Sequence, residues 1–356
     1  IGKGRGLSVK AVNWHAWLHL LFPGDRKRCG FGKGFLPKIE LTRWKWFGRA
    51  RVMLYHNAIR AIAVLVSLST PAQGEPVRVV TDIAPVHSLA ALVMGETGQP
   101  SLLVEQAVSP HDTSLRPSKA RDLERADIVF WVGPALTPWL ERPLGALAPT
   151  AHQIALLPLA PVHHTKREAA VFDGHEHDHE HEHGDDDPHA WLDPLNGAAW
   201  LDVMAQALAE KDPDNAATYR ANAAAARAEL LRLQREIAAI LSIDAPNTYM
   251  TGHDALQYFE HRFGLSPLGA VASSDDARPG PRRIRAIRDH AAEHDLRCVF
   301  VSPGAATGLL DTAFDGLDAQ RIPLDQDGGE LTPGPALYGD MLRNMARAMA
   351  TCLTRK

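Results

Sequence analysis

Residues 213–242 run for 30 positions with no glycine and with proline only at the first. Asp212 is a good helix cap and Pro213 a good first helical residue. The interior is rich in Ala, Leu, Glu and Arg, which cost little to hold in a helix. At 1.5 Å per residue such a helix reaches about 45 Å, longer than a small domain is wide. Strand-and-helix patterns lie on both sides of it. The expectation is therefore two α/β lobes joined by a long rigid linker helix, with a cleft between them. The alternative is one domain carrying a long surface helix.

The flanking patterns are short β-branched runs alternating with amphipathic stretches, which favours mainly parallel sheets flanked by helices. Before the long helix, strands are expected at 76–83, 101–104, 126–133 and 154–157, with helices at 85–95, 117–126 and 196–211. After it, strands are expected at 247–251 and 296–301, and helices at 282–294 and 336–353. The resulting division is an N-terminal lobe at 75–212, a linker helix at 213–243 and a C-terminal lobe at 244–356.

The region ahead of residue 75 has a different character. Residues 1–74 carry 13 Lys/Arg against 2 Asp/Glu, whereas residues 75–356 carry 25 against 40. Met53–Arg60 is a short, weakly positive segment, Ala61–Leu68 is apolar, and Ala72-Gln73-Gly74 supplies small residues. That order predicts a secretory signal peptide over 53–74, with 1–52 a non-native or mis-annotated extension. No cysteine stands at the junction for a lipid anchor, and no run of 18 apolar residues suggests a membrane span. The acidic body argues against a nucleic-acid partner, because backbone phosphates need a positive surface. Cys29 falls in the extension, leaving Cys298 and Cys352. An even pair in a secreted chain is consistent with one disulfide, and two buried thiols are the alternative.

Histidine is abundant, at 18 residues, and clustered. His175, His177, His179, His181 and His183 alternate with acidic residues, and eight acidic side chains lie between Asp173 and Asp187. Such a run cannot build a core, so 163–187 is expected to be a disordered surface loop. It either gathers metal at low affinity or is a solvated charge run. Three further histidines sit where strands give way to helices: His111 in SPHDTSLRPS, His189 in HAWLDP and His253 in GHDALQYFEHRFGL. Ligands bind at that edge of an open α/β sheet, and imidazole nitrogen is a good donor to Zn²⁺. Each histidine alone reads more readily as a structural residue, and their spacing is too wide for a local zinc motif.

Taken in order, these three segments resemble the metal-binding segments of the periplasmic zinc-binding proteins of zinc ABC importers (ZnuA-like, cluster A-I solute-binding proteins). The likeness extends over 75–356 and includes DIVFWVGP, the His/acid-rich loop, the long helix, RCVFVSP and the C-terminal cysteine. It implies that His111, His189 and His253 hold zinc. It also implies that Cys298 pairs with Cys352 and that a membrane permease receives the ion. Manganese-type relatives carry an acidic residue at the third position, so His253 speaks for zinc. Some relatives carry Glu directly before the first ligand, whereas this chain has Pro110. The fourth position would then go to water or to Asp325, which matches a family carboxylate. The resemblance further implies a periplasmic protein, taken to act as a monomer.

Two other readings carry less weight. One is a manganese or other divalent-metal binding protein or adhesin, although no surface anchor is visible. The other is a secreted zinc hydrolase, but HExxH and GxSxG are both absent. Among the remaining residues, the resemblance gives His87 no metal role, and His261, His290 and His294 read as surface residues. Asp193 reads as the cap of the helix starting at Pro194, and Trp191 as packing that could keep water from the metal.

Overall fold

The computed structural model describes residues 75–354 apart from 106–107, 112, 166–185, 243–247, 273–278 and 305–307. The extension at 1–52, the signal segment at 53–74 and the histidine run His175–His183 lie outside the described residues. Residues from Gln73 onward form one compact unit.

The first half holds β1 (Val79–Thr81), α1 (Ala84–Met94), β2 (Ser101–Leu102), α2 (Pro117–Glu124), β3 (Ile128–Trp131), α3 (Glu141–Leu147) and β4 (His152–Ala155). Next come α4 (Pro194–Lys211) and α5 (Ala216–Ile240). The second half holds β5 (Tyr249–His253), α6 (Gln257–Phe263), β6 (Gly269–Ala272), α7 (Pro281–Glu293), β7 (Cys298–Val301), α8 (Gly308–Ala313), β8 (Gln320–Pro323) and α9 (Leu337–Leu353). The strands form two four-stranded sheets, in orders β2-β1-β3-β4 and β6-β5-β7-β8. Every pairing is parallel. In both sheets the order reverses between the first and third strands, the place where a crevice opens at the strand ends.

Alternation along the strands separates the cores. Val79, Ile128 and Phe130 face one apolar cluster, while Val80, Val129 and Trp131 face another that contains Leu123 and Leu144 of α2 and α3. In the second sheet, Tyr249, Cys298 and Phe300 belong to the same cluster as Val79, while Met250, Val299 and Val301 pack on Ile284, Ile287 and Leu310. One central core thus receives a face of each sheet. Residues of α1, α4, α5, α6 and α9 fill it, and a fully buried Leu or Phe there contributes about 1.5–3 kcal/mol.

The expected long helix is present over Ala216–Ile240, but its first turn, Pro213–Asn215, is 3₁₀. Asp212 accepts from the Asn215 N–H and from the Tyr219 hydroxyl, which fixes the tight entry. The helix packs against α1, α4 and α9. The fourth strand begins at His152 rather than Ile154. It is an edge strand whose outer residues are exposed, so its polar start hides it from a search for apolar runs. A disulfide joins Cys298, at the start of β7, to Cys352 in the last turn of α9, 54 positions on. A loop of that length contributes roughly 4 kcal/mol through the unfolded chain. Among the described residues no helix is long and apolar enough to cross a membrane.

Asp82, directly after β1, is fully buried and accepts the N–H groups of Ile83 and Val132 at 2.8 Å each. Burial pushes its carboxyl up to about 7, against the opposing effect of those two donors. The folded protein therefore retains a proton that the unfolded chain has released. The stability this carboxyl contributes is complete below about pH 4 and is lost as pH rises through about 7. Urea unfolding of the metal-free protein should show wild type losing ground to Asp82→Asn by roughly 1 kcal/mol per pH unit across that window. Parallel pH dependences for the two proteins would show that Asp82 does not titrate there.

Candidate metal centre

His111, His189 and His253 converge although 78 and 64 positions of chain separate them. Their ring centroids lie 5.6, 6.0 and 5.0 Å apart. One nitrogen from each ring falls in a group whose members all lie within 4.8 Å of one another. A tetrahedral zinc with Zn–N bonds of about 2.0–2.1 Å separates its ligands by roughly 3.3–3.4 Å. The grouping of the three nitrogens is compatible with ligation of one ion.

Each ring is placed by its own segment. His253 ends β5, is buried, and pairs with Ala272 of β6. This puts the ring at the strand-end edge of the second sheet. His189 sits directly before a 3₁₀ turn, Ala190–Leu192, that leads into α4. Its Nδ1 lies 2.7 Å from Asp187 Oδ1, and its backbone N–H donates to the same oxygen. An ionised carboxylate can only accept, so Nδ1 carries the proton and Nε2 offers its lone pair. His111 is half-buried, in an irregular segment after β2. The Trp139 indole N–H donates to the carbonyl of Pro110 and anchors that segment.

Asp187 is the residue against His189 that sequence reasoning missed, because it falls in the acidic loop. It is almost fully buried, and it stands two residues before a histidine that follows Pro188 and precedes Trp191 by two positions. That spacing was the available signal. The ends of the expected 163–187 loop are likewise ordered rather than loose. Thr165 and Asp186 form an antiparallel bridge, and the Asp187 N–H donates to the His164 carbonyl. Tyr258 of α6 donates its hydroxyl to the Asp187 carbonyl and accepts from the His164 N–H. Burial pushes that phenol up to about 12, so it holds its proton and acts as a donor at neutral pH.

Asp325 stands apart from the three rings. Among the described residues it does not join their 4.8 Å group, and its two oxygens accept the N–H groups of Gly329 and Glu330. It shapes the turn that carries Gln326, whose carbonyl accepts the indole N–H of Trp191. Trp191 is fully buried with its ring 5.2 Å from that of His189, so it shields one side of the site from water. Tyr338 of α9 donates to the Trp191 carbonyl at 2.7 Å. That reach needs Gly197, since a Cβ there would lie 2.5 Å from the Tyr338 oxygen. His87 is buried in α1 against the Pro100 carbonyl, which is a structural role. The pairing of Cys298 with Cys352 agrees with the implied disulfide.

Residues 79–352 match the family model described as zinc-uptake complex component A, periplasmic. The chain is 40% identical over 325 residues to the high-affinity zinc uptake system protein ZnuA of Paracoccus denitrificans, covering 85% of this chain and 99% of that protein. It is 37% identical over 311 residues to the protein of the same name from Brucella suis, covering 79% and 93%. A crystal structure of ZnuA superposes with a TM-score of 0.67 at 23% identity, over 79% of this chain and all of that one. The periplasmic zinc-binding protein TroA of Treponema pallidum gives 0.65 at 17% identity, again over 79% of this chain and all of the other. These structural likenesses bear on the fold.

One ion pair braces the site from below. Asp193 caps α4 by accepting the Leu195 N–H and also takes two hydrogen bonds from Arg262 of α6, at 2.8 and 2.6 Å. The Asp193 side chain is 1% exposed and that of Arg262 19%. Removing one partner of such a pair strands a buried charge. Arg262→Ala should therefore cost about 3–5 kcal/mol in urea unfolding. Arg262→Met combined with Asp193→Asn should recover part of that loss. Equal costs for the single and double variants would show that packing, not the stranded carboxylate, dominates.

Proposed function

The chain belongs to the family of periplasmic zinc-uptake components A, and on that premise we propose that it captures Zn²⁺ in the periplasm and hands it to the membrane permease of an ABC importer. The observation that supports the ligand set is the convergence of His111, His189 and His253 from three distant segments. Three neutral nitrogens suit zinc better than manganese, which favours oxygen donors. Asp187 would hold His189 in the ligating tautomer, and Trp191 would exclude water from one side. Water is the natural fourth ligand, because Asp325 does not join the group formed by the three imidazoles.

Further parts of the reading follow from the sequence. Residues 53–74 direct export and are removed near Gly74, leaving a protein free in the periplasm. The lobes are 75–212 and 244–356, with 213–243 between them. His175, His177, His179, His181 and His183 raise the local concentration of zinc and pass it to the cleft. A single chain carries all three imidazoles, so a monomer suffices. The protein binds and releases rather than catalyses. The shared core opposes a wide hinge, so capture proceeds with small movements of the lobes.

Zinc titration calorimetry on residues 75–356 tests this, beside a variant lacking 166–185. The shortened protein should keep one tight site. His253→Ala should abolish that site, and Asp187→Asn should weaken it about 10–100-fold, as for other groups that orient a ligating histidine. Loss of all tight binding on removal of the loop would refute the three-histidine site.

A further inference from the structure

The last turn of α7 carries a second set of metal-ligating side chains. His290, Glu293 and His294 stand at positions i, i+3 and i+4, which share one face of a helix. Their ligand atoms all lie within 4.8 Å of one another, and the two imidazole centroids are 4.3 Å apart. Glu293 and His294 are exposed and His290 is half-buried. The opposite face of the helix is fixed to the sheet by Ile284, Ile287 and Ala291, so the three groups project from a rigid support. A cation placed there also meets the negative end of the helix dipole.

We propose that His290, Glu293 and His294 form a second divalent-metal site, which takes Zn²⁺ with water completing the coordination. Two imidazole nitrogens and a carboxylate oxygen are ordinary zinc donors. The place of the site in the fold separates it from the three-histidine centre. The chain leaves α7 and enters β7 at Cys298, so this turn lies at the edge where the strands begin. His253 lies at the edge where they end. Four or five strand residues, roughly 15 Å, stand between the two edges, so no ion is shared. The spacing H-x-x-E-H also occurs in zinc hydrolases, where Glu acts as the base beside a metal in a cleft. Here Glu293 sits on an open helix surface and serves as a ligand. The function is binding, and its structural effect is to clamp the junction of α7 with β7.

Hydrogen exchange read by mass spectrometry, on the full chain carrying His253→Ala, tests the proposal independently of the main centre. With Zn²⁺ at ten times the dissociation constant of the site, opening of the last turn is suppressed and exchange across 291–297 slows about tenfold. Mg²⁺ at the same concentration leaves it unchanged. The double variant His290→Ala with His294→Ala loses the slowing, and so does the single His294→Gln, which keeps a polar residue of similar size at the cap. Unchanged metal-free exchange over 281–289 shows that the helix remains folded in each variant. No slowing at millimolar zinc would overturn the site, and so would slowing that persists in the double variant. An undiminished response in Glu293→Gln would overturn the three-ligand assignment.

Discussion

Both sheets turn one face into the same apolar core, so neither can rotate far against the other without exposing it. The core holds Tyr249 and Phe300 from the second sheet beside Ile128 and Phe130 from the first, with α4, α5 and α9 filling the space. A wide hinge would bring large apolar side chains into water at about 25 cal/mol per Å². The disulfide adds a covalent limit, because it ties the end of α9 to β7 while α9 packs on α1 and α5. A molecule built this way holds the three imidazoles of the candidate site together, with little freedom to separate.

The polar groups of that interior are where accuracy comes from. Apolar packing sets spacing to within a side chain, whereas a ligand nitrogen needs a defined direction. Four hydrogen-bonded ties supply it: Arg262 to Asp193, Tyr258 to Asp187, Trp191 to Gln326 and Tyr338 to Trp191. Each joins the 187–193 segment to an element of the second half. His189 lies within that segment, so its ring is oriented from both halves together. Each tie also satisfies a donor that would otherwise be buried at a cost of about 1–3 kcal/mol. The same bonds therefore protect stability and set ligand geometry.

Much of this was legible in the sequence, for reasons tied to particular residues. The strand of Ile128–Trp131 is a continuous apolar run because it is buried on both faces, and α4 announces itself through Asp193 and Pro194. The shorter α3 and α8 gave no such signal. The first contains Pro143 and Gly145, and the second spans a single turn and a half. Strands β6 and β8 were equally silent, since Gly269–Ala272 is short and Gln320–Pro323 is an exposed edge. The three histidines could be named because each follows a pattern change, but their meeting could not be computed from spacing. Asp187 was hidden as the last of three consecutive aspartates, and it is buried where Asp186 before it is exposed. Asp325 was named through a resemblance, and its carboxylate also accepts the N–H groups of Gly329 and Glu330 in the local turn.

Differences in burial among the three imidazoles bear on how a tight site can also let go. His189 is held by a carboxylate and packed on Trp191, and His253 is built into a central strand. Moving either ring disturbs a buried bond or a sheet ladder. His111 is half-buried and its segment has no regular structure, with the Trp139 bond to Pro110 as its described anchor. It belongs to no strand ladder. Loss of one imidazole also leaves zinc with two nitrogens, a far weaker hold than three.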